Sequence, residues 1–566
     1  MRFVIISLLM AFISDGWVPI GNQLDGQNKG QSPSAQKMLP EFGLVPKLKW
    51  RIPNPCGECE RATWEPLASL WNGCAYVAGN GKVVAMELRT GKAQVILKYD
   101  RVEHSELQQI NAIVNGVLYF SHGRKIRAFD VSSAKLRWEY EISTNGLIQY
   151  GDFTCAGEKV LLDYCMKGED GVAMVDRIVC IDPGTGKETW FVVTKSETRS
   201  FLLVVKGMVI MWGSAKPPLG NYLAAVDTGT GKEQWCVPFR TSGGVITDGE
   251  RIYSSDGCLA MDPQSGKTLW QNNDPVLVRD IRGTDLFATK PFGKELIIID
   301  GKTGARKETT VSGKDSNYQF MSMAMRGDVI FTPCEVKGQK IVIKALSAVD
   351  FKELWTLDPE KESCPPFFMT AVRDGYMVGF ETVRGEEQLA CYEDARYTDE
   401  AAHMVLDPVE PTAEEKALIA QKIKELGDND YKARVAAREY MPKLGLKAEQ
   451  ALIDATKSQD AEVAAAAKEI LPKLEWLKPV RDYVAEYHPE RDPLYITKLV
   501  RHTADLAIQQ KAIDRLKKIT GQDFGLKPSA EWVKDQKEAS DKYDAWWQTN
   551  RDKLKWSDKD DKYVSK

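Results

Sequence analysis

The chain has 566 residues, 43% hydrophobic and 28% charged, which excludes global disorder and offers about three domains of chain at roughly 100–200 residues each. Lysine and arginine total 76 against 80 aspartate and glutamate, a formal net charge of -4. So neutral a balance argues against a nucleic-acid binder, which needs a basic stripe to meet phosphate. Residues 1–16 combine Arg2, an apolar run from Phe3 to Ile13, and the small residues Ser14 and Gly16. That pattern predicts a secretory signal peptide cleaved after Gly16, hence export to the periplasm or cell envelope. No cysteine precedes Cys56, so a lipid anchor is not expected, and residues 17–44 read as a flexible N-terminal segment. No other segment approaches 18 apolar residues, so no transmembrane span is predicted.

Cys56 and Cys59 form Cys-Gly-Glu-Cys without a second such pair or a following histidine, which argues against a zinc ribbon and a c-type haem site. Two readings stay open: a redox or disulfide pair, or two unrelated loop cysteines. The other nine of the eleven cysteines lie in strand-like segments, where cysteine serves as a small buried hydrophobe.

From here the chain repeats itself. Ile178–Trp190 reads IVCIDPGTGKETW, Leu223–Trp235 reads LAAVDTGTGKEQW, and Cys258–Trp270 reads CLAMDPQSGKTLW. Each has an apolar strand end, an Asp, a turn with Gly-Lys, and a Trp eight residues after the Asp. Weaker copies run Val83–Val95, Ile126–Trp138, Leu296–Glu308 and Ile343–Trp355, and an eighth begins at Leu389. The anchors are Glu87, Asp130, Asp182, Asp227, Asp262, Asp300, Ser347 and Glu393, spaced 35 to 52 residues apart. A period of that length fits one four-stranded propeller blade. The Asp-x-x-x-Gly-Lys stretch is turn chemistry, because Asp bonds its own backbone and Gly supplies positive φ. The Trp opens the outer strand, where a large ring can fill the wedge between blades. Trp138, Trp190, Trp235, Trp270 and Trp355 are therefore expected at equivalent, buried blade-docking positions.

These repeats resemble the pyrrolo-quinoline-quinone-type (quinoprotein-like) β-propeller repeat family over about residues 45–398. That family includes quinoprotein alcohol dehydrogenases and non-enzymatic scaffolds such as the propeller lipoprotein of the outer-membrane β-barrel assembly machine. The eighth unit has Ala401 where the Trp belongs, whereas Lys47-Leu48-Lys49-Trp50-Arg51-Ile52 reads as the missing outer strand. The expectation is an all-β eight-bladed propeller over residues 45–400, closed by its N-terminal strand through Trp50, which removes open sheet edges. Seven blades is the alternative if one weak copy is misjudged.

Glycine marks the end of this region: 39 of the 43 precede residue 411, and the last 156 residues hold four. Residues 401–411 read as a linker. From Thr412 the hydrophobic period changes from 2 to 3.6, predicting helices over Thr412–Leu426, Tyr431–Leu444, Lys447–Lys457 and Ala461–Leu474. Asp at the turns and Arg434 inside the next helix resemble HEAT-type helical repeats, with capping between helices as the role of the pair. An all-α HEAT-like domain is expected over 412–556. Its end, around Gly521 and Trp532, Trp546 and Trp547, reads as either a partner-binding corner or a glycine helix cap with aromatic core residues. Residues 557–566 are expected to fray.

No chemistry announces itself. The resemblance implies that a dehydrogenase would carry adjacent cysteines over its quinone, an Asp base and acidic metal ligands; no two cysteines are adjacent. Asp152 and Asp163 qualify by side-chain type alone. His104, His122, His403, His488 and His502 show no metal-ligand spacing, and His122 reads as a hairpin-turn residue. Lys92, Lys187, Lys232 and Lys267 follow the turn glycines and read as solvated surface. No catalytic, cofactor-binding or metal-binding residue is assigned. The expectation is an exported, monomeric, non-enzymatic scaffold that binds protein partners and no nucleic acid. The competing readings are a periplasmic oxidoreductase using pyrrolo-quinoline quinone with calcium in an atypical site, and a carbohydrate-binding or carbohydrate-processing propeller.

Overall fold

The computed structural model describes residues 41–566 apart from 56–67, 80, 100–107, 123, 143–147, 157–158, 168–173, 195–200, 215–219, 240–243, 258, 273–275, 291–294, 308–316, 319–322, 337–339, 358–370, 384–385, 408–409 and 531–533. The proposed signal peptide and the Cys56/Cys59 pair lie outside the described residues.

Eight antiparallel sheets follow one another along the chain, seven of four strands and one of five. The first comprises Ala68–Trp71, Cys74–Gly79, Lys82–Glu87 and Ala93–Lys98. Each sheet is one blade, running from an innermost to an outermost strand. Second and third strands are apolar on both faces because each blade lies between two others. Tyr222, Leu223, Ala224, Ala225 and Val226, for instance, are all at most 1% exposed. Outer strands face a neighbour on one side only, so in Glu188–Val193 the half-buried Trp190 and Val192 alternate with the exposed Thr189, Phe191 and Val193.

The ring closes where the sequence places the seam. The innermost strand Ala68–Trp71 touches the innermost strands of both the second blade, Gln108–Val114, and the eighth, Ala371–Arg373. The N-terminal strand Lys47–Pro53 pairs antiparallel with Glu386–Glu393 of the eighth blade, and Trp50 stands opposite Cys391.

The tryptophans dock each blade on the next. The Trp138 indole N–H donates to the Pro183 carbonyl at 2.7 Å, that of Trp190 to Thr228 at 3.0 Å, and that of Trp235 to Pro263 at 3.0 Å. Trp270 donates to Gly301 at 2.8 Å, and Trp50 donates to Leu88 at 2.7 Å across the seam. In these five the acceptor is the residue after the anchor acid of the following blade. The same ring lies against the glycine of that turn. A Cβ at Gly186 would sit 2.6 Å from the Trp138 ring, and at Gly231, Gly266 and Gly304 it would sit 2.7 Å from Trp190, Trp235 and Trp270. These glycines also hold φ between +66° and +74°, which a side chain disfavours. Where the preceding blade offers no tryptophan the turn carries a larger residue: Val95 precedes Ala134, and Glu308 precedes Phe351. Trp138 and Trp355 are buried; Trp50, Trp190, Trp235 and Trp270 are half-buried, because the outer strand leaves one ring edge in water.

The anchor carboxylates organise the turns. Asp182 accepts from the Thr185 N–H at 2.8 Å and hydroxyl at 2.7 Å, and Asp227 accepts from both groups of Thr230 at 2.8 Å. The eighth unit departs from this. After Glu393 the chain enters a short 3-10 turn, Ala395–Tyr397, and then helix Asp399–Leu406, so the expected linker 401–411 begins inside a helix. Thr398 caps that helix and Ala401, Ala402 and Val405 bury its inner face.

Helices Ala413–Glu425, Tyr431–Tyr440, Glu449–Ala455 and Ala461–Ile470 follow, with 3-10 segments after the second and fourth. Thr412 and Glu415 form a reciprocal capping box, and Asp430 and Asp460 cap the next starts. Arg434 donates to the Asp428 and Asn429 carbonyls at 2.7 and 3.2 Å and reaches Glu462 at 3.3 Å, linking one helical pair to the next. Helices Leu477–Tyr487, Pro493–His502, Leu506–Thr520 and Lys534–Asn550 complete the module. Gly521 is the left-handed cap of the third of these. The tail expected to fray instead pairs Leu554–Ser557 with Lys562–Ser565. Arg515 and Lys518 bind Asp561 at its turn, and Tyr563 packs on Trp547 and Trp556. His122 ends the second strand of the second blade, paired with Lys125, rather than sitting in the turn.

Candidate functional site: the joint between propeller and helical module

In the first, second, fourth, sixth and seventh blades the turn joining the second strand to the strand before it and the turn carrying the anchor residue lie at the same end, bonded as in Leu88 N–H to Gly73 O at 2.8 Å and Val131 N–H to Gly116 O at 2.9 Å. The helical module sits on this end, over the first and eighth blades. Three clusters hold it there.

The first replaces the eighth turn. Asp394 and Arg396 are both buried, and the Arg396 guanidinium grips both carboxylate oxygens, with Nε at 3.0 Å from each. Asp394 also accepts from the Phe42 N–H at 2.6 Å, which ties in the chain just before the closing strand. Burial alone would raise the Asp394 carboxyl; the guanidinium and the Phe42 N–H hold it below the ordinary value. Trp355 donates to the Phe42 carbonyl at 3.0 Å, so the docking site lost with the eighth turn is supplied by the N-terminal segment. The Tyr495 hydroxyl, from the helical module, donates to the Arg396 carbonyl.

The second cluster surrounds His502, at the end of helix Pro493–His502. Its ring stacks on Tyr376 of the eighth blade with centroids 4.0 Å apart and 4° between planes. Nε2 lies 2.6 Å from the Asp374 carbonyl and so carries the proton. Nδ1 faces Glu393, whose Oε2 is 3.6 Å away, too far for a hydrogen bond, and is itself held by Lys49 at 2.6 Å. Burial pulls the His502 pKa down against the opposing pull of Glu393.

The third is Arg89, in the first blade's anchor turn and 5% exposed. It donates to the Thr503 carbonyl at 3.1 Å, to Ser529 at 3.3 Å and to Ala530 at 3.0 Å, and pairs with Glu87 at 3.2 Å. Thr503 caps helix Pro493–His502, so the cation sits at the negative end of the helix dipole. Lys498 to Glu41 at 3.1 Å and Lys47 over the Trp476 ring at 4.4 Å extend the contact.

Arg89, Asp394, Arg396, Tyr376 and His502 are missed by reading the sequence as repeats. The available signals were the non-turn sequence Glu393-Asp394-Ala395-Arg396 and an arginine in the first anchor turn. Residues singled out for chemistry fall elsewhere. Asp163 is buried on the second strand of the third blade, between Ile178 on the third strand and the register shift of the innermost strand between Tyr150 and Phe153. Asp152 lies within that shift on the innermost strand, Ile148–Ala156, so the strand pairing sets the two across from each other. Lys92, Lys187, Lys232 and Lys267 are exposed. Among the described residues no three His, Cys, Asp or Glu side chains converge as metal ligands, and no helix is long and apolar enough to cross a membrane. Exposed apolar side chains remain on the module at Tyr431, Tyr440, Ile453 and Leu506, and on outer strands at Val95, Leu136, Phe191, Val193 and Leu269.

Residues 168–289 and 219–361 match a family model described as outer membrane protein assembly factor BamB. Among solved structures, BamB from Moraxella catarrhalis is 13% identical, covering 62% of this chain and 100% of that one, with TM-score 0.38. The quinohemoprotein alcohol dehydrogenase ADHIIG from Pseudomonas putida HK5 is 12% identical, covering 84% and 97%, with TM-score 0.42. Quinohemoprotein alcohol dehydrogenase from Comamonas testosteroni is 14% identical, covering 77% and 92%, with TM-score 0.38. Identities this low bear on the fold alone. No curated protein matches the chain.

Proposed function

From a propeller of the quinoprotein-like repeat type with a helical module seated on its seam, we propose an exported, monomeric interaction scaffold that binds protein partners and does not use pyrrolo-quinoline quinone with calcium. The joint carries this reading. The deeply buried ionisable side chains there, Asp394, Arg396, His502 and Arg89, are spent on one another and on backbone carbonyls. They build a fixed angle between two modules rather than facing a substrate. Perturbed pKa values arise in structural networks as well as in active sites, and the groups that act on Asp394, Arg396 and His502 belong to the joint. A propeller end and a helical-repeat surface held rigidly together suit recognition of a large partner, because little ordering entropy is lost on binding. Tyr431, 69% exposed at a helix start, and the exposed apolar residues of the module offer contact points. The N-terminal sixteen residues support export, and the repeat type matches a family model named for an assembly factor.

The test is purification from the native envelope with a photo-crosslinking residue at position 431, alongside titration with quinone and calcium. The reading expects one discrete protein adduct, reduced when Arg89→Met loosens the joint, and no quinone binding. Saturable one-to-one quinone binding with dye-linked alcohol oxidation would replace it with the oxidoreductase reading.

A further inference from the structure

The sixth blade holds a feature outside the joint and outside the blade-docking pattern. Its innermost strand, Leu277–Arg282, pairs with Asp285–Thr289. The register shifts between Val278, opposite Ala288, and Asp280, opposite Phe287, so Arg279 is the extra residue of a β-bulge. Bulges re-aim a side chain and recur beside functional sites. Nε and Nη2 of Arg279 are buried and meet no hydrogen-bond partner. Partial burial pulls this guanidinium below the ordinary arginine value, the direction expected of a half-buried cation. On the adjacent strand Thr289 is fully buried, and its hydroxyl also meets no partner. Thr289 pairs with Leu277, two positions from Arg279, so both orphaned groups belong to the same end of the same strand pair.

Buried polar groups are almost always hydrogen-bonded, and two orphans on neighbouring strands require an explanation. A guanidinium only donates and a hydroxyl can donate as well as accept, so one group that completes both is an oxygen acceptor with negative charge. One unpaired cation with one hydroxyl matches a monoanion. A phosphate, nearer two charges, would call for a second buried cation; Arg282 on the same strand is committed to Asp328 at 2.6 Å, and Lys290, which follows Thr289, is exposed to solvent. We propose that Arg279 and Thr289 form a binding site, at the inner edge of the sixth blade, for the carboxylate of a small organic acid. The site is independent of the partner-binding reading and stands or falls separately from it.

Thermal unfolding and calorimetric titration of the full chain in a buffer free of carboxylates decide the matter, with acetate, benzoate, succinate and inorganic phosphate as probes. The expected result is saturable binding of a monocarboxylate with a rise in Tm. Arg279→Met is expected to lose at least tenfold in affinity while melting no lower than the parent protein in ligand-free buffer, because it removes a half-buried charge with two unbonded donors. Thr289→Val should weaken binding by a smaller factor and keeps the test open if Arg279→Met does not fold. Binding of phosphate but no carboxylate would overturn the ligand class. Absence of binding to the parent protein, or equal binding by both variants, would overturn the site.

Discussion

Substituting Gly186 by alanine tests whether blade docking depends on a tryptophan lying against a glycine. Gly186 holds φ +71°, and a Cβ there would meet the Trp138 ring at 2.6–2.8 Å. The left-handed backbone costs an alanine about 1–2 kcal/mol. Displacing a packed ring adds about 1–3 kcal/mol. Gly186→Ala should therefore destabilise by about 2–5 kcal/mol. Gly116→Ala isolates the backbone contribution, because Gly116 holds φ +75° with nothing within 4 Å of its Cβ position. Blades one and two already show the relaxed arrangement, with Val95 in place of the tryptophan and Ala134 at φ +54° in place of the glycine. In a Trp138→Val background Gly186→Ala should consequently cost only the backbone term, a coupling of about 1–3 kcal/mol. Urea unfolding followed by circular dichroism measures all four variants. Equal costs for Gly186→Ala and Gly116→Ala, or an unchanged cost in the Trp138→Val background, would refute the docking account.

Deleting residues 47–53 removes the outer strand of the eighth blade and the Trp50 contact with Gly91, so it should lower Tm more than deleting 562–566; equal shifts would disprove closure by this strand. Arg89→Met takes its donor from the Ala530 carbonyl and one of two donors from the Thr503 and Ser529 carbonyls, which keep Gln509, and should cost about 2–4 kcal/mol and speed proteolysis between the two modules. His502 is buried with its folded pKa lowered, chiefly by burial, so the unfolded chain takes up the proton first. Stability at the joint is then fully present above about pH 6.5 and declines as pH falls below that value. His502→Gln should flatten the stability profile between about pH 5 and 7, and an unchanged slope would remove His502 from the joint's titration. Hydrogen bonds from Thr185 and Thr230 lower the Asp182 and Asp227 carboxyls. Their contribution is present above the unfolded value near 3.9 and is lost as pH falls through the folded one, so Asp182→Asn should shift the acid-unfolding midpoint upward relative to the parent protein.

The propeller was legible in the sequence because its determinants are local and repeated. Asp, Gly, Lys and Trp at set offsets are demanded by one turn and one docking contact, and that physics leaves three clean copies of the pattern and weaker ones in other blades. Even closure was legible, since the eighth unit lacked a tryptophan that the segment around Trp50 possessed. The caps Thr412, Asp430 and Asp460 announced their helices for the same reason: a cap bonds residues two or three positions away. What the tertiary structure decided depends on contacts between distant segments. Helix Asp399–Leu406 buries mainly small residues, and nothing in its own pattern says that helices Leu477–Tyr487 and Leu506–Thr520 will cover it. The hairpin of Leu554–Ser557 with Lys562–Ser565 exists because Arg515 and Lys518, on another helix, hold Asp561 at its turn. The joint is the clearest case. Arg89 meets Thr503 and Phe42 meets Asp394 across hundreds of residues, and such pairs leave no periodicity. A buried charge or a buried histidine takes its meaning from the groups that surround it, and only the folded chain brings those groups together.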